Sequence, residues 1–152
     1  MRHAESLLNI ASHEFRVKNN LPYIWEELCK YKEFILGVKY NPAFLDCDIT
    51  EHGISQCITA QSHVQDIKPD IILVSPLFRT LRTCSFVFEN HKDVPVVVEP
   101  LLAEAFRSSC DIASETAPKV EKFPTYNFDA VLESGDFWFI KNESEENQQK
   151  YF

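Results

Sequence analysis

Four consecutive apolar residues, Ile71-Ile72-Leu73-Val74, stand out from a polar stretch and end at Ser75-Pro76. A run this short and this apolar fits a strand buried on both faces, the habit of a parallel sheet. Ser75-Pro76 opens a helical pattern with Leu77, Leu81, Cys84 and Phe88 on one face. Val96-Val97-Val98 follows as a second strand, bounded by Pro95 and Pro100. Strand, helix and strand at this spacing form a right-handed crossover. The unit predicts an α/β fold, three-layer αβα, with helices on both faces of a mostly parallel sheet.

Around that unit the patterns are weaker. Ile24, Leu28, Tyr31 and Ile35 fall on one helical face and predict a helix from Pro22 to Gly37. Thr50 is placed as the N-cap of a helix to about Gln65, with Ile54, Ile58 and Gln61 on one side. Residues 107–136 are polar, broken by Pro118, Pro124 and Gly135, and read as a long loop with short helical pieces. Within one domain spanning 1–152, residues 107–140 are expected to form a substrate-side loop or lid. Phe137-Trp138-Phe139-Ile140 is an apolar knot, and the acidic tail 142–150 is expected to fray.

The 152 residues carry a net charge of -8, which argues against a nucleic-acid binder. The same acidity means that any anion pocket needs arginines at short range. There is no apolar stretch of ~18 residues and no apolar signal core, so no membrane association is expected and the cytoplasm is the expected compartment. Five cysteines at 29, 47, 57, 84 and 110, an odd count without a Cys-x-x-Cys pair, read as reduced thiols. His52, Cys57 and His63 match no tight metal-ligand spacing. Neither a metal nor another cofactor is expected. Sequence does not give the oligomeric state.

Three constellations carry chemistry. Arg2-His3, followed by Ser6 and Asn9, joins an imidazole nucleophile to a guanidinium whose planar fork suits phosphate oxygens. Arg79 falls in the first turn of the helix after the first strand, at the carboxyl end of the sheet. The start of that helix is expected to offer free N–H groups and a positive field to an anion. Glu104 follows the second strand and is placed as proton donor to a leaving oxygen, a role that needs partial burial to raise its pKa, with Glu99 as the competing candidate. Taken singly, Arg2-His3 also reads as a chance dipeptide at a terminus, and Arg79 as a solvated helix residue. Lys119 and Lys122 read either as solvated lysines or as contacts for a second anionic group on the substrate.

The segments Arg2-His3-Ala4-Glu5-Ser6 with Asn9, Asp46-Cys47-Asp48-Ile49-Thr50-Glu51-His52-Gly53 with Gln56, Ser75-Pro76-Leu77-Phe78-Arg79-Thr80 and Leu101-Leu102-Ala103-Glu104 occur in that order. In this order they resemble the histidine phosphatase superfamily, in its phosphoglycerate-mutase-like branch, with weaker similarity through Cys110-Asp111-Ile112 and Phe123-Pro124 to Trp138. The resemblance implies a phosphomonoester phosphatase acting on a small phosphorylated substrate. His3 would form a phosphohistidine, Arg2 and Arg79 would hold the phosphoryl group with help from Asn9 and Ser6, and Glu104 would be the acid. It also implies a strand before the nucleophile and a second catalytic histidine in a Ser-His-Gly-like turn. Only two residues precede His3, and none of His13, His52, His63 or His91 has that setting. The expectation is therefore an incomplete domain that lacks its first central strand and its C-terminal part, an incomplete enzyme whose activity as it stands is left open. The alternatives are a non-catalytic binder of phosphate esters and a phosphoglycerate-type mutase.

Overall fold

The computed structural model describes residues 2–135. The order is α1 (Leu7–Lys18), α2 (Trp25–Leu28), α3 (Lys32–Phe34), a π-helical segment Ile35–Lys39, a 3-10 turn Pro42–Phe44, α4 (Glu51–Val64) and β1 (Ile72–Val74). It continues with α5 (Phe78–Val87), β2 (Val96–Val98), 3-10 turns Pro100–Leu102 and Ser109–Asp111, α6 (Ala117–Lys122), β3 (Tyr126–Asn127) and α7 (Asp129–Ser134). The described strands form one all-parallel sheet in the order β1-β2-β3. Its register pairs Ile72 with Val96, Val74 with Val98 and Val96 with Tyr126. α5 packs on β1, α7 on β2 and α4 on α5. This is the expected α/β class, present as part of an αβα architecture.

Ile72, Val74, Leu77, Leu81, Cys84, Val98, Phe123, Phe128 and Val131 make the core of the sheet region. Leu73 departs from the expectation of a strand buried on both sides, since it is 53% exposed between two buried neighbours. One face of β1 alone is covered among the described residues.

Other elements also differ from their sequence patterns. The helix expected from Pro22 to Gly37 is broken. α2 ends at Leu28, Tyr31 is extended, and the chain restarts in α3 and runs through Gly37 in π-helical form to Lys39. Leu28, Phe34 and Val38 are the residues buried here, whereas Ile24 and Tyr31 are exposed. On α4, Cys57 and Gly53 are buried while Ile58 is exposed, so the inward face is rotated from the expected one. α1 was not visible as a helix because a serine sits on its apolar stripe. Ser12 is buried beside Leu8 and donates to the Leu8 carbonyl at 2.8 Å, which removes the cost of an unpaired hydroxyl. Residues 107–135 contain the expected short helices and, in addition, β3. Phe137 to Ile140 and the acidic tail lie outside the described residues.

The N-terminal segment is held by the chain around α4. Ser6 bridges Ile49, and the Leu7 N–H donates to the Asp48 carbonyl at 3.1 Å. The Thr50 N–H donates to the Glu5 carbonyl at 2.9 Å, and its hydroxyl donates to the Glu5 carboxylate at 2.7 Å. Gln56 accepts from the Glu5 N–H at 2.9 Å, and Thr83 on α5 accepts from the Ala4 N–H at 3.0 Å. Gly53 lets these backbones meet, because a Cβ there would collide with the Glu5 carbonyl.

A second node is Asp46, whose φ of 42° is in the left-handed region that Asp tolerates better than most residues. Its carboxylate accepts from Phe78 N–H at 2.7 Å, from Ser114 N–H and hydroxyl at 2.9 and 2.7 Å, and pairs with Lys119 Nζ at 2.5 Å. Lys119 also donates to the Pro76 carbonyl at 3.0 Å. It is 2% exposed, so it is not available to a substrate as one sequence reading had it. Lys122 lies over the Phe78 ring at 4.7 Å.

Two stability measurements follow from these contacts. Gly53→Ala is expected to cost about 1–3 kcal/mol in denaturant unfolding by overpacking, while Gly37→Ala, with open space at its Cβ, is expected to be neutral or stabilising. Lys119→Met is expected to cost about 3–5 kcal/mol by stranding the Asp46 carboxylate. Lys122→Met should stay within about 1 kcal/mol, and an equal loss in the two lysine variants would contradict the buried pair.

Candidate active site

His3 directly precedes Ala4, which is tethered to Thr83, and lies three residues before the bridge at Ser6. Its Nδ1 lies 2.7 Å from the Ala4 carbonyl oxygen. A carbonyl can only accept, so Nδ1 carries the proton and Nε2 keeps its lone pair. Burial holds the His3 pKa below its ordinary 6.5. The bond to Ala4 opposes the shift, Arg79 and Arg2 reinforce it, and Glu104 opposes it. The ring is therefore neutral near pH 7, with a free nitrogen.

Three residues further on, α1 begins. Ser6, 1% exposed, is its N-cap in a reciprocal capping box with Asn9. Asn9 Oδ1 accepts from the Ser6 N–H at 3.0 Å, which turns its amide NH2 the other way as a donor. Ser6 thus places Asn9, and its hydroxyl is engaged in the cap. The start of α1, close to His3 in the chain, brings the partial positive charge of a helix N-terminus. At the start of α5 the Phe78 N–H is taken by Asp46.

Arg79 enters from α5 and is 1% exposed. Nη1 donates to the Cys110 carbonyl, and Nη2 lies 2.9 Å from Asp111 Oδ1 and 3.4 Å from Glu104 Oε2. Burial pulls the Arg79 pKa down, but Cys110, Asp111 and Glu104 more than offset it, and the net shift is upward. Its Nε is buried with no hydrogen-bond partner among the described residues.

Glu104 reaches the site from beyond β2 with its side chain 54% exposed, so its burial is partial. Glu99 is occupied elsewhere, accepting from the Leu101 N–H at 3.0 Å as cap of the 3-10 turn Pro100–Leu102. Arg2 and His3 line two cavities together with Arg79 and Glu104. One, of about 530 Å3, runs along β1 past Leu73 and Phe88. The other, of about 290 Å3, also takes in Asn9, Tyr23, Ile24, Trp25 and Arg107. All six residues singled out in the sequence line the smaller cavity, Ser6 with its hydroxyl engaged in the cap of α1.

Sequence reasoning gave no role to Asp111, which anchors Arg79. Asp111 Oδ2 accepts from the N–H groups of Arg107 and Ser108 and from the Ser108 hydroxyl at 3.0–3.1 Å. The signal was its place in Cys110-Asp111-Ile112. Of the loosely spaced trio, Cys57 packs with Ala4, Ile49 and Val87, while His52 and His63 lie exposed on α4. Among the described residues, no three potential metal ligands are drawn together.

Comparison with known proteins identifies the family. Residues 43–147 match the histidine phosphatase superfamily, branch 1, a span that includes Arg79, Glu104 and Asp111. Arg2, His3, Ser6 and Asn9 precede the matched span, so their assignment rests on the geometry above. A Schizosaccharomyces pombe protein named as a probable phosphatase is 30% identical over 94 residues, which is 59% of this chain and 44% of that relative. The match thus spans less than half the length of the relative. With more than half of its residues inside the family match, this chain belongs to the histidine phosphatase superfamily, branch 1.

Proposed function

We propose that the protein is a phosphomonoester phosphatase that works through a phosphohistidine on His3. The observation that carries this reading is the Nδ1 bond to the Ala4 carbonyl, which leaves a bare Nε2 in a cavity shared by Arg2, Arg79 and Glu104. Nε2 attacks phosphorus as the bond to the ester oxygen breaks, and Glu104 delivers a proton to that oxygen. Water then attacks phosphorus, Glu104 takes its proton, the P–N bond breaks, and orthophosphate leaves with His3 restored. Arg2, the Arg79 guanidinium and the Asn9 amide hold the equatorial oxygens throughout, so the electrostatic work falls to fixed donors. Ser6 is a positioning residue. The exposure of Glu104 favours hydrolysis over mutase chemistry, because a mutase must keep water from the phosphoenzyme. That all five cysteines are free thiols supports a cytosolic setting for a small phosphorylated substrate.

The test is trapping. Incubation with 32P-labelled phenyl phosphate and alkaline denaturation should leave an acid-labile label on His3. His3→Ala should lose the label and about 10^3-fold or more in kcat. Undiminished turnover by His3→Ala would remove the proposal, and tight phosphate binding without any turnover would favour the non-catalytic binder. Glu104→Gln should lower kcat/KM for phenyl phosphate by about 10^2-fold or more, and less for para-nitrophenyl phosphate, whose leaving group needs little help from a proton.

The pH profile gives an independent check. The reaction needs neutral His3, and its pKa is shifted downward, so activity should persist as pH falls through 6.5 and decline only below it. An acid limb of kcat/KM centred above 6.5 would contradict the assignment of His3 as nucleophile.

A further inference from the structure

We propose that the smaller cavity selects phosphomonoesters whose leaving group is a single aromatic ring, with Tyr23, Ile24 and Trp25 as the wall that recognises it. The inference rests on the phosphatase reading, since that reading sets the phosphate at His3 and so directs the leaving group along the rest of the cavity.

The lining of that cavity has two chemically distinct parts. One is the imidazole, the guanidinium groups and Glu104, and the other is three consecutive large side chains with apolar surface. Tyr23 is 73% exposed and Ile24 49% exposed. Single exposed apolar side chains are ordinary on a protein surface, whereas a run of them lining the same cavity as the histidine suits a binding wall.

The wall is anchored. Leu28, 2% exposed, pins α2 into the core, and its N–H donates to the Ile24 carbonyl at 3.1 Å. Trp25 meets the buried Phe34 edge-on at 5.3 Å, and Arg16 lies over the Tyr23 ring at 5.7 Å. Two aromatic side chains and an isoleucine offer stacking and apolar contact, which suit a ring better than a polyol. The rim adds one acid, Glu26, and one base, Arg107, so it makes no net demand for a second anion on the substrate. A volume of about 290 Å3 is at the lower end for small-molecule sites, enough for a phosphoryl group and one ring. The chemistry is therefore that of an aryl phosphate, supplied as a free small molecule.

Binding of stable phosphonates separates this inference from the catalytic one. Calorimetry on the full chain should give phenylphosphonate at least about tenfold higher affinity than methylphosphonate. The Tyr23→Ser/Ile24→Ser double variant changes exposed residues, so it is expected to fold, and should cut that ratio at least about threefold. Ile58→Ser, on the exposed face of α4, should leave the ratio unchanged. Selective phenylphosphonate binding without turnover of any ester would overturn the phosphatase reading and keep the ring pocket. Turnover with equal phosphonate affinities would overturn the ring pocket and keep the phosphatase. Binding of neither phosphonate would overturn both. A phosphotyrosine pentapeptide hydrolysed with higher kcat/KM than phenyl phosphate would overturn the assignment to a free small molecule.

Discussion

Arg79 carries its guanidinium into the interior, where an unpaired cation would cost several kcal/mol. Asp111 offsets that charge at 2.9 Å, and the Cys110 carbonyl takes a second donor. Asp111 is in turn fixed by the backbone N–H groups of Arg107 and Ser108. One buried pair therefore ties the start of α5 to the turn at Ser109–Asp111, two segments separated by all of β2. What remains unsatisfied is Arg79 Nε, on the same side chain that lines both cavities. The cation is held in place by groups that use most of its donors, on a side chain that lines both cavities.

An acidic chain builds an anion site under a constraint. Its background field opposes phosphate, and here two of its carboxylates are consumed internally. Asp46 occupies the N-terminus of α5 together with Lys119, and Asp111 occupies Arg79. Each is placed so that its charge is matched at short range, where screening by solvent is weakest. Arg2 has no ion-pair partner among the described residues, so it brings positive charge that Arg79, already paired, does not. The start of α1 adds to the same side.

Local patterns carried the parts of the fold that depend on them. The crossover from Ile72 to Val98 was legible because four apolar residues, a Ser-Pro start and three valines agree on one answer. Thr50 as a cap was legible because its hydroxyl serves a backbone N–H three residues on, a purely local geometry. β3 was not legible, since two residues, Tyr126 and Asn127, make no periodic signal and become a strand only beside Val96 and Val97. The break in the expected helix after Leu28 was hidden for a similar reason. Burial of Phe34 and Val38 in the core shared by Leu8 and Cys110 outweighs the i, i+4 stripe that Ile24 and Tyr31 suggest. Lys119 shows the limit for charges, because a lysine in a polar stretch looks solvated until its partner, Asp46, is brought to it across 73 residues of sequence. In the site, His3, Arg79 and Glu104 were legible as residue types in order, while Ser6 was legible only as a polar neighbour and serves as a helix cap.

The order of motifs along the chain has a mechanical cause. His3 and Arg79 lie on segments that are not covalent neighbours, and neither segment alone fixes the other. Residues 48–56 link them. Thr50 and Gln56 grip Glu5 on one side, while Asp48 pairs with Arg82 of α5 at 3.2 Å on the other. Gly53 permits the close approach, and Thr83 completes the loop by holding Ala4, the residue whose carbonyl sets the His3 tautomer. A displacement of this strap by even a fraction of an ångström would move the imidazole relative to the guanidinium. These groups thereby control the geometry on which the proposed in-line transfer depends.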